Sequence, residues 1–277
     1  MSSRNSWQNK QSARERLKTE RARQARRSKL RRRLGIGAVA VAAMVAAAAG
    51  VVFASSASGS DEHDDWARIP ADAAAKPLKT PRNVAADGIT VPYGDPRNGR
   101  VLAVYEDPRC PICKMFEQAD GDEVRALADQ GKYRIEYHTA TFLDRTEDEH
   151  GSKTALAALG AALDQGGVPK YLAYKKVLFE NQPEEATDRF ADTNYLLDLA
   201  AKVPGLKTPA FEREVREGTF IPWAVKTGKA FNNAKGRDGK PIGGTPSVLL
   251  GGARLNVLTQ TGPVSPKDFA AEVERAR

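Results

Sequence analysis

The chain has 277 residues, of which 41% are hydrophobic, so it can fold around a core and is not a disordered chain. Residues 1–33 carry 13 basic and two acidic side chains, a net of +11, which leaves −3 of the total +8 for the other 244 residues. This uneven charge excludes a globally basic, nucleic-acid-coating domain. Only two cysteines occur, Cys110 and Cys113, which excludes a multi-disulfide scaffold and a four-cysteine metal site within one chain.

An uncharged apolar segment, residues 34–54, follows the basic tail directly. At about 1.5 Å per residue, a helix of this length spans roughly one bilayer. The positive-inside rule then keeps residues 1–33 as a basic cytoplasmic tail and sends the rest of the chain across the membrane. We predict a transmembrane signal anchor; a cleaved export signal and a buried core helix are the alternatives. Residues 55–82, rich in Ser, Ala, Asp and Pro, are predicted to be a linker.

A folded domain is predicted over residues 83–277. Its first strands are expected at residues 89–91, 101–105 and 133–139, and a helical stretch with a possible break at Gly121 separates the last two. The roughly 100 residues between Leu143 and Thr245 are too many for a loop and show helical apolar spacing.

Four helices are expected in that long stretch. They are marked by Leu156, Leu159 and Leu163, ending at Gly166-Gly167; by Tyr171, Tyr174 and Leu178; by Tyr195, Leu196 and Leu199; and by Phe211 and Val215 after Pro209. A hairpin through Gly251-Gly252 then joins two short strands, and a capping box at Ser265 with Pro266 begins a terminal helix.

The two cysteines form a CxxC motif, Cys110-Pro111-Ile112-Cys113, between a predicted strand and a predicted helix. The N–H groups and dipole at the start of a helix stabilise a thiolate, and Arg109 adds a neighbouring positive charge. We therefore expect Cys110 to have a lowered pKa and to act as the nucleophile. Cys113, one turn later, can attack a mixed disulfide on Cys110 and release the bound partner.

Two other interpretations of the cysteines stay open. A CxxC motif can be half of a zinc site, but the histidines, His63, His138 and His150, show no ligand spacing, so the zinc would have to be shared across a dimer. The pair could also be an inert structural disulfide, although closing so short a loop contributes little stability.

Several segments together resemble the DsbA-like branch of the thioredoxin superfamily, particularly its membrane-anchored bacterial members. They are residues 101–116 (VLAVYEDPRCPICKMF), the helical stretch, and Gly244-Thr245-Pro246-Ser247-Val248 before the Gly-Gly hairpin. The resemblance implies an α/β, thioredoxin-like fold with an inserted helical domain at about 150–235. It also implies a cis Pro246 beside the cysteines and a peptide groove formed by Thr245, Pro246, Pro111 and Ile112. No metal or organic cofactor is implied beyond the redox-active cysteine pair.

The sequence departs from this family at two positions. Many members carry a buried acid six residues before the first cysteine, where this chain has Val104. Glu106 and Asp107 are nearer the cysteines; we expect Glu106 on a solvated face, and Asp107 either to cap the turn or to tune the thiols together with Arg109. The most oxidising relatives have His at the position of Ile112, so we expect an oxidant of intermediate strength.

The sequence therefore predicts an exported, membrane-tethered thiol–disulfide oxidoreductase. It would form disulfides in secreted or membrane proteins and be recycled by a membrane redox partner, with no role in binding nucleic acid. One alternative is a tethered reductase or isomerase, in which electrons flow the other way. An alternative of another class is a non-catalytic, chaperone-like binding or scaffold domain.

Overall fold

The computed structural model describes residues 66–276. The basic tail at 1–33 and the predicted anchor at 34–54 lie outside these residues. Within 66–276, no helix combines the length and the apolar character needed to cross a bilayer.

A five-stranded mixed sheet forms the centre of the domain. Its strands are β1 (Val91–Tyr93), β2 (Val101–Glu106), β3 (Arg134–Thr139), β4 (Ser247–Leu250) and β5 (Ala253–Arg254), in the spatial order β1-β3-β2-β4-β5. β2 runs parallel to β3, and the other neighbouring pairs are antiparallel. Because β4 runs against β2, with Ser247 opposite Tyr105, the end of β2 meets the start of β4. This pairing brings the cysteine motif next to Thr245-Pro246.

Six α-helices surround the sheet in the described residues. They are α1 (Pro111–Asp129), α2 (Gly151–Glu180), α3 (Thr193–Ala200), α4 (Pro209–Arg216), α5 (Ile221–Asn233) and α6 (Pro266–Arg275). Helices α2 to α5 lie between β3 and β4 in the chain and form the inserted helical domain. The capping box of α6 is present, since the Ser265 hydroxyl accepts a hydrogen bond from the Asp268 N–H at 3.2 Å.

Alternation along β2 divides the core between the two faces of the sheet. Leu102 and Val104 are fully buried in the main core, which continues into the helical domain. Ala103 and Tyr105 face a smaller cluster that includes Phe231 of α5, whose ring lies 6.1 Å from that of Tyr105. Both faces of β2 are therefore covered, as its nearly continuous apolar sequence requires.

The helices differ from the sequence prediction in three places. α1 continues through Gly121, so the predicted break is wrong; the Glu117 carboxylate folds back over this residue, 2.7 Å from where a Cβ would lie. α2 is interrupted only at Gly167, with φ 67°, so two predicted helices meet at the expected glycine. Helix α5 was not predicted, because small residues such as Ala224 and Gly228 pack in its core-facing surface and weaken the apolar period.

The first strand begins later than predicted. Ile89 and Thr90 form a turn in which their N–H groups donate to the Asp87 carboxylate at 2.9 and 3.0 Å, and β1 starts only at Val91. An Asp side chain that accepts from residues two and three positions ahead competes with a strand for the same backbone groups.

The predicted linker is also shorter than expected, since its second half packs against the helical domain. Ala73 is 1% exposed, and Lys79 pairs with Glu214 at 2.7 Å. The Arg82 N–H donates to the Asp164 carboxylate at 2.9 Å. Residues 66–82 are therefore part of the folded domain and not a free spacer.

Arg109 fastens the loop before α1 to the start of the helical domain. Its guanidinium is 4% exposed and lies 3.1 Å from Asp144, 3.2 Å from Glu149 and 3.0 Å from Asp188. It also donates to the carbonyl oxygens of Leu143 and Glu185 at 2.9 and 2.7 Å. A buried cation with this many acceptors holds several segments in one arrangement.

Replacing Arg109 by Met should lower the free energy of unfolding by about 3–5 kcal/mol, because the change leaves buried carboxylates uncompensated. Urea denaturation followed by tryptophan fluorescence measures this loss. The matched control is Arg97→Met: Arg97 is 89% exposed and pairs with Asp95 in its own loop, so we expect a loss below about 0.5 kcal/mol. Equal losses in the two variants would show that the Arg109 cluster does not fasten the domain.

Candidate active site: the cysteine pair at the start of α1

Cys110 is the N-cap residue of α1. Its backbone is extended, with φ −72° and ψ 116°, and its sulfur accepts a hydrogen bond from the Cys113 N–H at 3.4 Å. Pro111 occupies the first helical turn, where its missing N–H costs no hydrogen bond. The sulfur of Cys110 therefore takes the place of the side-chain oxygen that usually caps a helix, in the field of the helix dipole.

The two thiols are free and differ in exposure. Cys110 is 7% exposed and Cys113 is 0% exposed. Both pack with Leu143 and Phe179 in a small apolar cluster. An incoming sulfur can therefore reach Cys110 first.

Thr245 and Pro246 lie against the cysteines, as the resemblance implies. The Thr245-Pro246 peptide bond is cis, and the Cys110 thiol donates to the Thr245 carbonyl oxygen at 3.4 Å. The backbone of Thr245 is therefore in direct contact with the Cys110 sulfur.

The environment separates the pKa values of the two thiols. A hydrogen bond from the Cys113 thiol, with further ones from the backbone at Cys113 and Ile112, lowers the pKa of Cys110 to about 6 despite partial burial. Burial raises the pKa of Cys113, and the hydrogen bond to Cys110 and the negative charge of Glu106 raise it further. At neutral pH the arrangement favours a thiolate on Cys110 and a thiol on Cys113.

A buried ionic group lies behind the cysteines. The Lys175 ammonium, from α2, contacts Glu106 at the end of β2 at 2.7 Å and Glu117 of α1 at 2.9 Å. Arg125 contacts the other oxygen of Glu117 at 2.7 Å. The solvated position predicted for Glu106 is therefore wrong: its side chain is 5% exposed, because the helical domain covers the end of the strand.

The two carboxylates of this group differ in their protonation. Burial raises the pKa of Glu106, and its Oε1 atom is buried without a hydrogen-bond partner. Burial also acts on Glu117, but the charges of Lys175 and Arg125 outweigh it and lower the pKa of that carboxyl. Glu106 is therefore the member of the group that can hold a proton.

Asp107 takes one of the two roles predicted for it, and Arg109 lies in an ionic cluster away from the cysteine sulfurs. Asp107 caps the turn: it accepts from the Arg109 N–H at 3.0 Å and from the Ser152 hydroxyl at 2.7 Å, and burial raises its pKa to about 7. The Arg109 guanidinium instead joins the acidic cluster of Asp144, Glu149 and Asp188. The lowered pKa of Cys110 thus has its causes in the hydrogen bond from Cys113 and in the N-cap position, and not in Arg109.

Among the remaining predicted site residues, Pro111 is exposed and Ile112 is 39% exposed, so both can be reached by a partner. Trp223 is a core residue, with its indole N–H donating to the Gly88 carbonyl at 3.0 Å. His138 stacks on Tyr105 with the ring centroids 4.5 Å apart, a structural contact. Among residues 66–276, no group of three or more His, Cys, Asp or Glu side chains is placed to hold a metal ion.

The sequence analysis missed two residues near the cysteines. Lys175 falls on the same helical face as Tyr171 and Leu178. Because a lysine is rarely buried unless it is paired, a lysine on an apolar face indicates a buried acidic partner. Gln182, after the end of α2, donates to the carbonyl oxygens of Pro108 and Cys110. No sequence pattern marks it, since the contact joins residues more than 70 positions apart.

Comparisons with solved structures find the same architecture in bacterial proteins. MdbA, a thiol-disulfide oxidoreductase from Actinomyces oris, is 23% identical with a TM-score of 0.56, over 74% of this chain and 95% of that one. Oxidised DsbA from Mycobacterium tuberculosis is 22% identical with a TM-score of 0.52, over 76% of this chain and 92% of that one. BdbD from Bacillus subtilis is 18% identical with a TM-score of 0.52, over 67% of this chain and 91% of that one. No curated protein matches the chain.

A family model described as thioredoxin matches residues 87–274. The match includes the whole sheet, the cysteine pair, the cis proline and the inserted helices. Since it spans more than half of the chain, the protein belongs to the thioredoxin family, and its structural neighbours are DsbA-type thiol–disulfide oxidoreductases.

Proposed function

We propose that this protein is an exported thiol–disulfide oxidoreductase that forms disulfides in secreted or membrane proteins. The observation that carries the proposal is the asymmetry of the pair, with a thiolate-stabilising N-cap at Cys110 and a buried thiol at Cys113. A stabilised thiolate favours the reduced form, so the corresponding disulfide is a good oxidant.

The proposed reaction starts from the Cys110–Cys113 disulfide. A substrate thiolate attacks the Cys110 sulfur, the intramolecular S–S bond breaks, and Cys113 leaves as a thiolate that takes up a proton. A second substrate thiolate then attacks the substrate sulfur of this mixed disulfide, so that the substrate disulfide forms and Cys110 leaves as a thiolate. Two electrons have passed from substrate to protein, and a disulfide-bearing membrane partner must take them up.

The division of labour between the thiols can be tested by trapping. Cys113→Ser should accumulate mixed disulfides through Cys110, because the attacking thiol that resolves them is absent. Cys110→Ser should accumulate few, because Cys113 is buried. Non-reducing gels with and without reductant count the adducts. Equal trapping by both variants would refute the assignment of the nucleophile, and no trapping by either would favour a non-catalytic binding domain.

Glu106 is proposed to supply and accept the proton of Cys113. Its negative charge acts on that thiol, and its pKa is raised by burial. Lys175 remains paired with Glu117 when Glu106 takes up a proton, so the buried cation keeps a counter-ion. Glu106 thus takes the role that an acid at the position of Val104 has in many relatives.

Glu106→Gln should slow the attack of Cys113 on a Cys110–glutathione mixed disulfide by about a hundredfold at pH 7, within the usual range for general base catalysis. The defect should shrink as pH rises, because hydroxide replaces the missing base. Rapid acid quenching with mass spectrometry follows the reaction. Glu136→Gln, on the half-buried side of β3, is the matched control and should leave the rate unchanged. An unaltered rate in Glu106→Gln would exclude the carboxylate from the proton transfer.

Location and direction of electron flow complete the proposal. The tail at 1–33 and the apolar segment at 34–54 support a single-pass membrane protein with its catalytic domain outside the cytoplasm. Oxidation is the default there, because cytosolic reductants do not reach the pair. The reductase or isomerase direction is the second candidate, favoured by Ile112, which offers the thiolate neither a side-chain hydrogen bond nor a charge.

Labelling of intact cells tests location and direction together. With a membrane-impermeant maleimide, Cys110 should react only after treatment with an impermeant reductant, because the pair is exported and oxidised. Labelling without reductant would transfer the assignment to the reductase. Labelling that requires lysis would overturn the exported location.

A further inference from the structure

Residues just after α2 form a second support for the cysteine motif, separate from the sheet and from α1. The side-chain amide of Gln182 donates to the Pro108 carbonyl at 2.8 Å and to the Cys110 carbonyl at 3.0 Å. One side chain from the inserted domain thus spans the turn before α1 and its N-cap residue.

The two acceptors are well placed to transmit this contact to the nucleophile. Residues 107–110 form a turn closed by the Cys110 N–H donating to the Asp107 carbonyl at 3.0 Å. The Cys110 carbonyl also accepts the first hydrogen bond of α1, from the Lys114 N–H at 3.1 Å. Fixing these carbonyls fixes the backbone angles at Cys110, and those angles aim its sulfur at the Cys113 N–H.

Gln182 is itself held firmly. Its N–H donates to the Phe179 carbonyl at 3.3 Å, and the neighbouring Asn181 carbonyl accepts from the Tyr195 hydroxyl at 2.6 Å. Phe179 in turn belongs to the apolar cluster that contains both cysteines. The end of α2 is therefore a fixed base for the amide and not a flexible loop.

We propose that Gln182 is a positioning residue, through which the inserted helical domain holds Cys110 in its N-cap conformation and makes the pair a stronger oxidant. The effect on oxidising strength rests on the proposed thiol–disulfide function, whereas the hydrogen bonds of Gln182 to the cysteine loop do not depend on it. Without the amide, the buried Pro108 carbonyl loses its donor and the turn must shift to find another.

The test measures the Cys110 thiolate by its ultraviolet absorbance across a pH titration of the full-length reduced protein. The wild-type midpoint should lie near pH 6. Gln182→Met, which keeps the shape of the side chain but cannot donate, should raise the midpoint by about half to one pH unit, a three- to tenfold loss of thiolate stability. In glutathione buffers, the equilibrium should shift about three- to tenfold toward the oxidised protein, because a weaker thiolate makes a weaker oxidant.

Two further variants give the result its controls. Gln182→Glu has the same size and, ionised at the pH of the titration, places a negative charge against two carbonyl oxygens, so its midpoint should rise more than that of Gln182→Met. Gln165→Met removes a matched amide of the same helical domain, which donates to Glu214 at 2.9 Å, and should leave the midpoint unchanged.

The outcomes separate the two proposals. A folded Gln182→Met protein with the wild-type midpoint would overturn the positioning role, as would unfolding of both Gln182 variants, which would make the residue a purely structural support. A wild-type protein that does not exchange with glutathione would instead overturn the proposed function, while the absorbance midpoints would still report on Gln182.

Discussion

The buried ammonium group of Lys175 joins the three elements on which the dithiol depends. It comes from α2 of the inserted domain, and it contacts Glu106 at the end of β2 and Glu117 on the cysteine-bearing helix α1. Replacing either carboxylate by an apolar residue would leave a buried charge with less compensation, which is far more costly than losing a surface ion pair. The inserted domain is therefore a structural part of the active site as well as a cover for it.

The inserted domain contacts the cysteine loop in three chemically different ways. Lys175 compensates charge, Phe179 joins the apolar cluster that contains both cysteines, and Gln182 binds the backbone of the loop. Arg109 makes the reverse connection, from the loop into the acidic cluster at the start of α2. Because these contacts come from both ends of one interrupted helix, a displacement of α2 would change packing, charge and backbone geometry at Cys110 together.

Local features of the site could be predicted from sequence, and its tertiary features could not. Strand, CxxC and proline follow one another along the chain, so the N-cap position of Cys110 follows from neighbouring residues alone. The proximity of Thr245 required the family resemblance, because only the antiparallel pairing of β4 with β2 brings it there. The roles of Glu106 and Arg109 were misassigned because sequence proximity does not show which way a side chain points or which distant element covers it.

The separation of the two thiol pKa values follows from one arrangement of atoms and has a chemical consequence. The hydrogen bond between the two cysteines stabilises a thiolate on Cys110 and raises the pKa of Cys113. The same contact therefore activates the Cys110 sulfur and keeps Cys113 protonated. When a partner sulfur is bound to Cys110, the thiolate that raised the pKa of Cys113 no longer exists. Cys113 then loses its proton more readily, with the Glu106 carboxylate close enough for its charge to act on that thiol. Cys113 therefore becomes reactive only in the mixed disulfide, where its attack on the Cys110 sulfur would release a bound partner.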